Sequence, residues 1–135
     1  MTMTIDELGK KLHSKLDECI DQLKTSKEHF ESLKKETETN IEVKLRAAKE
    51  NVAAKKQEAC AAKEKVEELI EAKKAETTEA VADWKANHHL KKLEKRAEHA
   101  EKYAEACIVL ARYYAVEADV AILEAVAARQ DVDNA

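Results

Sequence analysis

Residues 106–128 read ACIVLARYYAVEADVAILEAVAA, and in these 23 residues only Arg112, Glu117, Asp119 and Glu124 carry charge. These four charges, with Glu105 a fifth in the wider apolar segment 104–128, each cost roughly 2.5 to 3.5 kcal/mol at mid-bilayer and exclude a membrane-spanning reading. The segment therefore predicts a buried helix in water. One apolar seam runs through Ala104, Ile108, Ala111, Ala115, Ala118, Ile122 and Ala125, and a second through Val109, Tyr113, Val116, Val120, Leu123 and Ala127. Two seams on one helix require at least two neighbours, inside a bundle or between copies. The candidate oligomer or partner-helix interface accordingly comprises Ile108, Val109, Ala111, Tyr113, Val116, Val120, Ile122 and Leu123. Glu105, Arg112 and Asp119 recur every seven residues between the seams, as a bridging or solvated ridge.

Outward from this segment the chain offers almost nothing that breaks a helix. Its 135 residues include one Gly, Gly9, and no Pro. Phosphate-binding loops, nucleophile elbows and dinucleotide fingerprints need several glycines, so those chemistries are excluded. From Ile5 through Leu8, Leu12, Leu16, Cys19, Leu23, Phe30, Leu33, Ile41, Leu45, Ala48 and Val52, with Ser26 and Thr37 filling one position each, the stripe recurs at about 3.6 residues per step, the period of a straight helix. The stripe continues through Ala59, Ala62, Val66, Ile70, Val81 and Trp84, thinned by alanines between Ala53 and Ala62. The polar clusters Glu36–Asn40 and Glu76–Glu79 are the poorest helix formers and the best turn candidates. Thr4 with Glu7, and Thr39 with Glu42, have capping-box spacing.

These features predict an all-α fold, a long antiparallel helical hairpin or a three-helix bundle, coiled-coil-like, in a single domain. A long amphipathic helix is expected over 4–76, with a break at 36–40. A second is expected over 79–131, with the chain turning near Thr77 and Thr78.

Chemistry is sparse. A carboxylate-bridged metal site in a bundle needs Glu-x-x-His motifs. Lys10, Ser26, Lys85, Ala86 and Arg96 stand three residues before the five histidines, so the motif is absent. His13 and Asp17 make an i, i+4 pair, two ligands where zinc takes four. Cys19, Cys60 and Cys107 are far apart and predict reduced thiols in small apolar positions of a cytoplasmic protein. The first residues carry acids and lysines and no apolar run of the secretory kind. No catalytic residue, cofactor, metal or small-molecule substrate is nominated, and the expectation is a non-enzyme.

With 24 basic and 28 acidic residues interleaved and a net charge of −4, no nucleic-acid partner is expected. The one local excess of positive charge runs from Trp84 to Arg96. Trp84, Lys85, His88, His89, Lys91, Lys92, Lys95 and Arg96 form a candidate anion-binding patch that histidine protonation would strengthen. The C-terminal stretch from Glu105 is acidic instead, and a basic middle beside an acidic end suits antiparallel or head-to-tail association.

Asp83-Trp84-Lys85-Ala86, Leu90-Lys91-Lys92-Leu93 and the run Arg96–Ala104, followed by Ala128-Arg129 and the acids Asp131 and Asp133, resemble small uncharacterised bacterial coiled-coil proteins over residues 80–135. That resemblance implies a bacterial helical protein without an assigned reaction. Ala53–Lys74 is similar in texture to desiccation-protective and apolipoprotein-like repeats. The leading functional expectation is a scaffolding helical protein acting through self-association or a partner helix, and the alternative is an amphipathic membrane-surface or stress-protective protein.

Overall fold

The computed structural model describes residues 4–135 as four helices: α1 (Ile5–Leu33), α2 (Glu38–Lys73), α3 (Thr78–Ala86) and α4 (Leu90–Asp133). No strand occurs among the described residues. Three of the four helices start at a threonine. The Thr4, Thr37 and Thr77 side chains accept from the backbone N–H groups of Glu7, Asn40 and Ala80, satisfying donors that a helix start leaves orphaned. The expected cap at Thr39 is therefore displaced to Thr37. Starting there lets Ile41 point into the core, where it is 1% exposed.

The cross-helix contacts fix the topology. Lys11 with Glu105, Glu18 with Arg112, and Gln22 with Asp119 ascend together, so α1 lies parallel to α4. Lys49 with Glu124, Lys73 with Tyr103, Glu76 with His99, and Trp84 with Lys92 descend together, so α2 and α3 both run antiparallel to α4. The result is a three-layered up-down-up bundle, the second of the two expected architectures, with α2 and α3 sharing the descending arm.

Two boundaries differ from expectation. The helix expected over 4–76 is two helices whose direction reverses at residues 34–37. The helix expected over 79–131 is interrupted at 87–89, and the second reversal sits there, while the Thr77–Thr78 break only jogs the descending arm. His88 makes that reversal with φ 54°, a left-handed conformation that a non-Gly residue adopts at a cost. With no Gly nearby, a histidine takes the position.

The core is narrow and built from small residues. Cys19 and Ser26 of α1, Ala59 and Ala62 of α2, and Ala106 and Ala115 of α4 are all buried, which lets the backbones approach closely. Larger side chains collect at the α1–α2 turn, where Leu33, Ile41 and Leu123 form a cluster covered by Leu45, Ala48, Ile122, Val126 and Ala127. Gln130 donates to the Glu36 carbonyl at 3.0 Å and ties the end of α4 to that turn.

The buried and half-buried positions follow a heptad rather than the straight 3.6 period. On α1 they are Leu8, Leu12, Lys15, Cys19, Gln22, Ser26 and Leu33, and on α2 they include Ile41, Leu45, Ala48, Val52, Lys55, Ala59, Ala62, Val66 and Leu69. Steps of three and four averaging about 3.5 mark helices that wrap around one another. Leu16, Leu23, Phe30 and Ile70, expected on the inner stripe, consequently fall outside it and are exposed.

Candidate interaction face

Helix α4 is the common wall of the bundle, and its 44 residues, about 66 Å at 1.5 Å per residue, carry three heptad seams. The first comprises Ala106, Val109, Tyr113, Val116, Val120 and Leu123. It faces α2, and Val116 is 0% exposed.

The second seam comprises Glu105, Ile108, Arg112, Ala115, Asp119 and Ile122, and it faces α1. Its contacts are largely polar. Lys11 and Lys15 reach Glu105 at 2.8 and 3.6 Å, Glu18 receives Arg112 at 3.0 Å, and Asp119 accepts from Gln22 at 2.8 Å and from the buried Ser26 hydroxyl. The predicted ridge of Glu105, Arg112 and Asp119 is thus the bridge that docks α1. The hydrogen bond from Lys11 holds the Glu105 carboxyl below the usual carboxylate range, against the opposite pull of desolvation. The Cys19 thiol points at the Ile108 carbonyl at 3.6 Å, and burial raises its pKa, so it stays an unreactive thiol.

No helix of the fold is seated on the third seam, although Ala118 and Ala121 edge a shallow cleft with Lys49 and Val52 of α2, and Ala100 one with Leu69 and Lys73. The seam starts at Ala100, Ala104 and Cys107 and continues through Ala111, Tyr114, Ala118, Ala121, Ala125, Ala128 and Val132, strictly three and four apart. None of these residues is charged and none is buried. Tyr114 is 59% and Val132 63% exposed. Leu90, Leu93 and Ala97 extend the same line toward the start of α4, with Leu93 and Ala97 half-buried. A surface helix ordinarily gives its outer face to charge, so an uncharged outer seam of about 50 Å is a departure that asks for a cover.

A second ridge lies beside it. Leu16, Ile20, Leu23 and Phe30 of α1 are between 42 and 54% exposed. The flank of α1 turned to α2 is polar: Lys11, Ser14, Glu18 and His29 line clefts shared with Lys55, Glu58, Asn51 and Lys44 of α2. At 100° per residue, Leu16, Ile20 and Leu23 fall on the opposite flank, as the third seam does on α4, so both face the same side of the molecule.

Of the eight residues expected at an interface, only Ala111 lies on this open face. Val109, Tyr113, Val116, Val120 and Leu123 are used by α2, and Ile108 and Ile122 by α1. Ala104, Ala118 and Ala125 stand on the first seam expected from the sequence but not among the eight interface candidates, which favour bulky side chains. The signal available was the unbroken heptad of uncharged residues from Leu90 onward. The basic stretch gathers at one end of the bundle. Lys85, His88, His89, Lys91, Lys92, Lys95 and Arg96 are exposed there, and the Lys92 ammonium sits 5.8 Å from the centroid of the half-buried Trp84 ring.

The cleft between the three helices holds about 440 Å³, lined by Lys11, Lys15, Glu18, Lys55, Glu58 and Arg112. Lys11, Lys15, Glu18 and Arg112 are engaged in the α1–α4 bridges just described, so that part of the lining serves docking. His13 and Asp17 approach to 3.2 Å, and no group of three metal-ligating side chains occurs among the described residues. No helix among them is long and apolar enough to cross a membrane. No family model, curated protein or solved structure matches this chain.

Proposed function

We propose that the protein is a helix-docking scaffold whose working surface is the third seam of α4 together with the outer ridge of α1. The carrying observation is that α4 spends two heptad seams on its own fold and leaves a third, equally regular and wholly uncharged, exposed or half-buried with no helix seated on it. Alanine at most of its positions favours close approach of another helix over insertion into lipid, where the scarcity of bulky side chains leaves little apolar area to bury.

Cys107 reports on this seam and Cys60, exposed on α2, is its internal reference. Cys107 is already half-buried within the subunit, so the change in its rate is what decides: in native cells Ala121→Glu, which puts a charge on the open seam, should raise maleimide labelling of Cys107 relative to Cys60. An unchanged ratio of the two rates in Ala121→Glu would sink this reading. Protection of Cys107 that appears only with anionic vesicles would replace it with membrane-surface binding.

A further inference from the structure

We infer that the occupant of the open seam is α4 of a second copy, packed antiparallel about a two-fold axis between Ala111 and Tyr114. This rests on the docking reading above and names the partner.

Three observations select this arrangement. The first is steric. Tyr114 is the only large side chain between Ala100 and Ala128 on the seam. A parallel, in-register pair would put two tyrosines in one layer and wedge apart helices that alanine layers draw together. The antiparallel pair sets each Tyr114 against the partner's Ala111, large against small.

The second is electrostatic. The first turns of α4 hold Lys91, Lys92, Lys95 and Arg96, and its last turn holds Asp131 and Asp133. Parallel pairing brings like ends together, whereas antiparallel pairing brings each basic end to an acidic one. With the axis between Ala111 and Tyr114, Arg96 lies across from the partner's Asp131 on the flank of the seam, and symmetry makes the contact twice. Sliding the pair so that the axis moves to residue 116 loses that contact and sets Glu117 against the partner's Glu117.

The third is the ridge on α1. Glu18 meets Arg112 and Cys19 meets the Ile108 carbonyl, so Leu16, Ile20 and Leu23 are centred at the level of residues 108–115 of α4, where the axis passes. The same axis therefore brings the ridges of both copies to the edge of one continuous apolar interface.

Sedimentation of the full chain should give twice the 15.2 kDa chain mass. Arg96→Glu should weaken the dimer by about tenfold, and adding Asp131→Arg should restore it, with helicity and melting of the subunit unchanged in each. In a Cys60→Ser background, Ala118→Cys should give a reducible dimer on mild oxidation, because Cys107 faces the partner's residue 118, while the parent background should not.

A Cys107–Cys107 crosslink in the parent would overturn the antiparallel assignment, and failure of Asp131→Arg to rescue would overturn the register. A monomer at 100 μM would overturn the second copy as occupant. Cys107 protected in cells but not after purification would then leave the docking reading standing with another helix in place of α4. Cys107 unprotected in both would end both.

Discussion

At the scale of the residue, the costs of turning between long helices with no Gly or Pro at the turns concentrate at two adjacent histidines. His88 holds φ 54° and His89 begins α4 with no side-chain cap and no acid in the first turn to meet the helix dipole. His88→Gly should stabilise the fold by about 0.5–1 kcal/mol, since glycine adopts this conformation freely. His89→Asp should add about 1 kcal/mol by capping the N–H of Lys91 or Lys92. Both are read as a rise of a few degrees in melting temperature. The opposite case is Val116, fully buried where α4 meets α2. Val116→Ala should cost about 2 kcal/mol through lost burial and the small cavity left behind.

At the scale of the element, α1 and α2 hold α4 by different forces. The α2 contact is centred on apolar residues, with the exposed Lys49–Glu124 pair at its rim, while the α1 contact depends on Glu105, Arg112, Asp119 and their partners. The Glu105 carboxyl is held below its ordinary pKa by Lys11. A depressed carboxylate contributes stability above its unfolded pKa of about 4.3 and loses it as pH falls through the folded value. Amide exchange in α1 should therefore rise below about pH 4 before that of α2 or the α2-facing half of α4, and Glu105→Gln should flatten this dependence. Equal loss of protection in all three helices on acidification would contradict it. Helix type and the breaks near Glu36–Asn40 and Glu76–Glu79 were legible in the sequence, because threonine clusters compete with the helix for backbone donors. The reversal at His88 was not, since Lys-Ala-Asn-His-His carries no Gly or Pro to mark it.

At the scale of the whole molecule, the division of α4 into seams was half legible. Two seams and at least two neighbours follow from the apolar residues of 104–128, and the bundle supplies both neighbours from its own chain. Which seam faces outward could not be read from bulk hydrophobicity, because alanine stands on all three seams of α4, buried at Ala106 and Ala115 and exposed at Ala111 and Ala125. On α1 hydrophobicity misleads outright, since Lys15 and Gln22 turn inward to reach Glu105 and Asp119 while Leu16 and Leu23 stay outside. Charged substitutions should accordingly divide by seam. Val120→Glu should unfold the subunit in a thermal melt, while Ala125→Glu should leave the melt nearly unchanged and act only on association.

One helix read in three directions constrains how the chain can change length. Removing four residues from the middle of α4 turns everything after the cut by about 40° against its neighbours, enough to mismatch all three seams together. Removing seven returns each seam to its own phase, and because α1 and α2 share the repeat, they can slide by one unit and still meet it. Viable relatives of this protein should differ in the length of α4 by multiples of seven, with matching changes near the turns at 34–37 and 87–89.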